Sequence, residues 1–157
     1  LDERKPYIAI LAMTYDSKIG QLTLSGLAHN GVQVNVGFLG KETSSTKILN
    51  DEWSLSIPGK LISGKQKILA VLLGKNGDLL SKNSINITGK AIQNANGNTF
   101  VIIQKGDALW NIAFDRLGLG NLYVDIVKLN KDKINNPDLI YPKQLFVIPA
   151  QTENNKN

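Results

Sequence analysis

The chain has 157 residues, 42% of them hydrophobic and 6% aromatic, with 18 basic and 13 acidic side chains, one histidine and no cysteine. That length accommodates two small cores but no large enzyme domain, and the cysteine and histidine counts exclude a disulfide-built miniprotein and leave no zinc or thiol site. The net charge of +5 favours anionic surfaces, and its excess falls in residues 1–98, which carry 11 basic and 7 acidic groups against 7 and 6 in the remainder.

From the N-terminus, short alternating runs at residues 7–14, 21–27, 32–39, 46–49, 53–57, 66–73 and 84–88 predict about seven strands, separated by turn residues at the spacing of a β-sandwich. Leu22 and Leu24, Val32, Val34, Val36 and Phe38, Trp53, Leu55 and Ile57, and Ile85 and Ile87 each put apolar side chains on one face, because strand side chains alternate. Residues 67–73 are apolar on both faces, which predicts a central strand. Asn30-Gly31, Pro58-Gly59 and Asn76-Gly77 mark turns. Trp53 is expected in the core and His29 in a solvated loop. Lys60, Lys65 and Lys67 read as a solvated rim, since no aromatic residues interleave with them as a nucleic-acid groove requires. The acidic residues are too scattered for a calcium loop. The runs Leu24-Ser-Gly-Leu-Ala-His-Asn-Gly-Val-Gln-Val-Asn-Val and Glu52-Trp-Ser-Leu-Ser-Ile-Pro-Gly resemble the bacterial Ig-like repeats of envelope and adhesin proteins. The resemblance implies an all-β Ig-like sandwich over residues 1–88.

Residues 89–98 are small and polar without apolar periodicity and read as a linker. A β-branched and aromatic run at 99–103 then predicts a strand. Gly106 and Asp107 supply a turn and a helix cap, Asp107 accepting backbone N–H bonds at the positive end of the helix dipole. Leu109, Ile112, Ala113 and Leu117 form the buried stripe of a first helix, which Trp110 and Phe114 widen and Gly118 and Gly120 stop. In a second helix Tyr123, Ile126, Val127 and Asn130 share a face, with Asn130 placed near the C-terminal end to satisfy free carbonyls. Pro137 and Pro142 forbid further helix, and residues 145–149 alternate as a last strand, able to pair antiparallel with the first. Residues 150–157 are Asn-rich and read as a disordered tail.

Two runs in this last third, Gly106-Asp-Ala-Leu-Trp-Asn-Ile-Ala and Asn136-Pro-Asp-Leu-Ile-Tyr-Pro-Lys-Gln, together resemble a LysM module over residues 99–149. The resemblance implies a small α+β βααβ module after the sandwich, and a shallow groove for N-acetylglucosamine polymers. Carried over residue by residue, Gly106, Asp107, Ala108 and Leu109 form one wall, and Asn136, Pro137, Asp138, Leu139 and Ile140 the other. Ala108 stands where the family has Thr or Ser, and Lys143 where it has Gly, so altered glycan affinity is expected. Helix capping by Asp107 is compatible with a ligand contact, and Leu109 and Ile140 also suit a core.

These features predict a non-enzymatic cell-wall-binding protein that holds peptidoglycan glycan strands, with the Ig-like domain as spacer or docking surface for an envelope protein. No cofactor, metal or catalytic residue is expected, because no Ser-His constellation or paired carboxylates stand out. The alternatives are an envelope protein-protein adapter whose LysM has lost glycan binding, or the targeting part of a longer cell-wall hydrolase. A periplasmic or secreted location follows from the LysM resemblance alone. No apolar run reaches membrane-spanning length, no signal peptide is recognisable, and a start at Leu1 reads as a mature or trimmed product.

Overall fold

A computed structural model describes residues 4–38, 43–58, 64–90, 99–102, 123–131 and 144–148. The chain divides into two compact units, Leu1–Asn96 and Gly97–Asn157. The described residues are mostly β.

The first unit contains β1 (Tyr7–Asp16), β2 (Gln21–His29), β3 (Gln33–Phe38), β4 (Thr43–Lys47), β5 (Glu52–Pro58), β6 (Lys65–Leu73) and β7 (Leu79–Thr88). β2 lies between β1 and β5, antiparallel to both. A second, four-stranded antiparallel sheet has the order β4-β3-β6-β7. β2 and β5 bury one face through Leu22, Leu24, Ala28, Trp53 and Ile57, and β3 and β6 bury one face through Val34, Val36, Phe38, Ile68, Ala70 and Leu72, while β1 buries Ile8, Ala9 and Ile10 in succession. Burying each large aliphatic or aromatic side chain contributes about 1.5–3 kcal/mol, so strict alternation decides which face turns inward. The Trp53 indole N–H also donates to the Leu27 carbonyl at 3.1 Å. Gly26 makes this packing possible, since a Cβ there would stand 1.9 Å from the Ala9 carbonyl oxygen and 2.9 Å from the Trp53 ring.

The expected central position of β6 is observed between β3 and β7. Other details differ from the expectation. β4 runs Thr43–Lys47 rather than 46–49, because Leu49 forms an isolated bridge to Glu52 around a tight turn. Asn50 and Asp51 occupy that turn at φ 53° and 62°, the left-handed conformation that a two-residue hairpin turn requires and that Asn and Asp tolerate. β7 begins at Leu79, not Ser84, because a register shift between Leu72 and Leu73 interrupts the alternation. Val32 precedes β3 and is exposed; its N–H donates to the Leu73 carbonyl at 2.9 Å. His29 ends β2 and stacks on Tyr7 at 5.3 Å rather than sitting in a solvated loop. Asn30 and Gly77 take the positive φ expected of their turns, while Gly59 lies outside the described residues.

In the second unit, β8 (Thr99–Ile102) and β9 (Leu145–Ile148) pair antiparallel, and α1 (Tyr123–Leu129) comes between them in sequence. Phe100, Val101, Ile102, Ile126, Phe146 and Ile148 are buried. The expected first helix, residues 91–98 of the expected 89–98 linker and the tail lie outside the described residues.

Candidate functional site

All nine candidate groove residues, Gly106, Asp107, Ala108, Leu109, Asn136, Pro137, Asp138, Leu139 and Ile140, lie outside the described residues. The described residues that flank them in sequence are those of β8, α1 and β9. In the β8–β9 ladder Thr99 faces Ile148, Phe100 faces Val147, Val101 faces Phe146 and Ile102 faces Leu145. Ile102 is therefore the rung from which the chain leaves toward 106–109, and Leu145 is where it returns from 136–140. Ile102 and Leu145 pair at one end of the antiparallel β8–β9 ladder.

A second anchor holds the base of the later segment. Asn130 follows α1 and is 1% exposed, the one buried polar side chain among the described residues. Its Nδ2 donates to the Ile126 and Val147 carbonyls, each at 2.7 Å, and its Oδ1 accepts from the Val147 N–H at 2.7 Å. The first bond closes the helix end as its position in the sequence implies. The other two make the side chain act as a neighbouring strand would, occupying the N–H and carbonyl of β9 at Val147. An edge strand whose backbone groups are satisfied in this way is closed to stray pairing, and the chain entering the second segment is tied to the chain leaving it. Sequence reasoning missed this link because no periodicity couples positions 17 residues apart.

Among the described residues no buried side-chain nitrogen or oxygen lacks a partner, and no group of three or more His, Cys, Asp or Glu is placed to hold a metal ion. No helix among them is long and apolar enough to cross a membrane.

Comparison with known proteins agrees with the C-terminal motifs: the LysM domain family matches residues 101–149. The chain is 32% identical over 87 residues to the potassium binding protein Kbp of Escherichia coli O6:H1 (strain CFT073), an alignment that spans 55% of this chain and 56%, about half, of that relative. Among solved structures it is similar to wild-type OgpA from Akkermansia muciniphila, at TM-score 0.43 and 16% identity over 57% of this chain and 29% of the other. It is also similar to a family 76 glycoside hydrolase from a bovine Bacteroides thetaiotaomicron strain, at TM-score 0.36 and 11% identity over 80% and 25%. Likeness at that level specifies neither fold nor activity. The chain thus joins a β-rich N-terminal unit to a LysM domain at residues 101–149.

Proposed function

We propose that this is a non-enzymatic, cell-wall-binding protein of the bacterial envelope, periplasmic or secreted, which holds N-acetylglucosamine-containing glycan strands of peptidoglycan. In this reading the first unit is an Ig-like spacer or docking surface. The LysM match at 101–149 carries the proposal, and it is supported by the antiparallel pairing of β8 with β9, the strands that flank the two motif segments in sequence. An N-acetyl group offers one amide N–H, one carbonyl and a methyl, so it needs backbone partners and a small apolar hollow rather than a catalytic group. Gly106, Asp107, Ala108 and Leu109 would supply one wall, and Asn136, Pro137, Asp138, Leu139 and Ile140 the other. A shallow groove of this kind binds short glycans with about 4–7 kcal/mol, and retention on a wall comes from many repeats of the same ligand. A binding role also agrees with the 32%-identical relative, which is itself named as a binding protein.

Retention on purified sacculi tests the proposal: a variant carrying Asp107→Arg and Ile140→Glu should wash off, while the unaltered chain stays bound. Equal retention of the two would remove the groove from the account. The name of the same relative favours a second reading, in which this chain takes up potassium through backbone carbonyls rather than acidic side chains. Amide shifts seen in KCl but not in an equal concentration of NaCl would support it, and identical spectra would end it.

A further inference from the structure

Four of the nine basic residues described in the first unit share one surface. Strand alternation places Lys47 of β4, Lys65 and Lys67 of β6 and Lys82 of β7 on the outer face of the four-stranded sheet, opposite the buried Val34, Val36, Ile68, Ala70, Leu72, Ile85 and Ile87. All four lysines are exposed. The carboxylates among the described residues of this unit lie elsewhere: Asp16 ends β1, Asp51 and Glu52 belong to the turn and start of β5, and Asp78 sits in the turn before β7. Cross-strand neighbours do not compensate the lysines either, since Lys47 faces Gln33, Lys65 faces Thr88, Lys67 faces Asn86 and Lys82 faces Val71. A sheet face selected only for stability would pair opposite charges across strands. Here the like charges stand unpaired among the described residues.

The ground between the lysines is level and neutral. Asn35 Oδ1 accepts from Gln33 Nε2 at 2.8 Å and from Ser45 Oγ at 2.7 Å, and Leu69, Val71 and Leu73 are half-buried along the middle of the face. Lys65 and Lys67 stand about 7 Å apart along one strand, and Lys47 and Lys82 about 14 Å apart across three strand spacings. Separated ammonium point charges on flexible stems, with no guanidinium fork, suit dispersed anions rather than one chelated phosphate.

We infer that this lysine face docks on the carboxylate-bearing peptide stems of the same wall polymer whose glycan the LysM domain holds. The inference rests on the wall-binding reading and adds a second, electrostatic attachment to it. Free carboxylates recur along such a polymer at intervals a spread of lysines can follow. Two weak attachments to one polymer multiply into avidity.

The test compares the unaltered chain with a variant carrying K47Q, K65Q, K67Q and K82Q. Each is incubated with intact sacculi and with sacculi whose carboxylates have been converted to neutral amides by carbodiimide coupling to glycinamide. On intact sacculi at about 0.05 M salt the variant should be retained about tenfold less, and the gap should close at roughly 1 M, where the screening length falls to about 3 Å. It should also close on amidated sacculi, and lysine-to-arginine replacements at the four positions should restore retention. Equal retention on intact sacculi at low salt would overturn the inference. So would a gap that persists on amidated sacculi, or one that is larger on phosphatidylglycerol vesicles than on sacculi. Titration with uncharged N-acetylglucosamine oligomers reads the groove separately: failure of both proteins to bind them removes the LysM reading, whereas equal binding by both leaves the lysine face as the cause of the gap.

Discussion

The two units secure themselves by opposite means. In the first, β2 buries every second residue from Leu22 to Ala28 and β6 every second residue from Ile68 to Leu72, so the core is shared among many apolar side chains. In the second, a seven-residue helix is tied to a four-residue strand through the amide of Asn130. A helix of two turns has little stability of its own, and a small unit buries a smaller fraction of its surface. The comparison teaches that the β unit should tolerate local losses better than the described part of the second unit, where one buried amide joins helix to strand.

Trp53→Ala should give the largest single loss in the first unit, about 3–5 kcal/mol, because it empties a core site and leaves the Leu27 carbonyl without the indole donor. Hydrogen exchange of the two units tells whether the division holds. Faster exchange confined to residues 7–88 would sharpen it, and equal acceleration in 99–148 would break it.

Next in size is Asn130→Ala, at about 2–4 kcal/mol, because three backbone groups, the Ile126 and Val147 carbonyls and the Val147 N–H, lose their partner in a buried place. Asn130→Asp should be worse than alanine. It keeps the acceptor but sets a carboxylate oxygen against two carbonyl oxygens, and a buried charge without a donor is costly. Chemical denaturation followed at Phe100 and Phe146 amides checks the order, and an aspartate variant as stable as the unaltered protein would show that the clamp contributes nothing.

The same contrast explains what could be read from the residues alone. Strands β2, β3 and β5 were legible because apolar side chains at every second position mark both the element and its inner face, and β1 and β6 because each carries a continuous apolar run. β4 is a Thr and Ser run without apolar markers, so its position slipped toward Ile48 and Leu49, and the Asn50-Asp51 turn that ends the run went unmarked. The first five residues of β7 lie beside a register shift and do not alternate. In the LysM unit the paired strands and the second helix were legible from periodicity, and the family from two short motifs. The bond from Asn130 to Val147 was not, since it belongs to tertiary approach and leaves no local pattern. The lysine face was half legible: the excess charge could be counted, but only strand register shows that four lysines share one side.

The smallest expected effect isolates burial as the cause. Arg4 Nη2 and Asp51 Oδ2 approach to 2.8 Å in the first unit, with side chains 50% and 49% exposed, and Asn30 also donates to the Arg4 carbonyl. Its length nearly matches the 2.7 Å bonds of Asn130. If distance alone set energy, the charged pair would be about as strong as one of those bonds. Water already solvates both ions, however, and holding two half-exposed side chains in one geometry costs entropy, so the pair should contribute only about 0–1 kcal/mol. A double-mutant cycle with Arg4→Ala and Asp51→Ala should therefore give a coupling several-fold below the loss at Asn130, and salt should shrink it further. Coupling as large as the Asn130 loss, and insensitive to salt, would mean that the first unit also leans on a single polar contact, and the contrast between the units would fail.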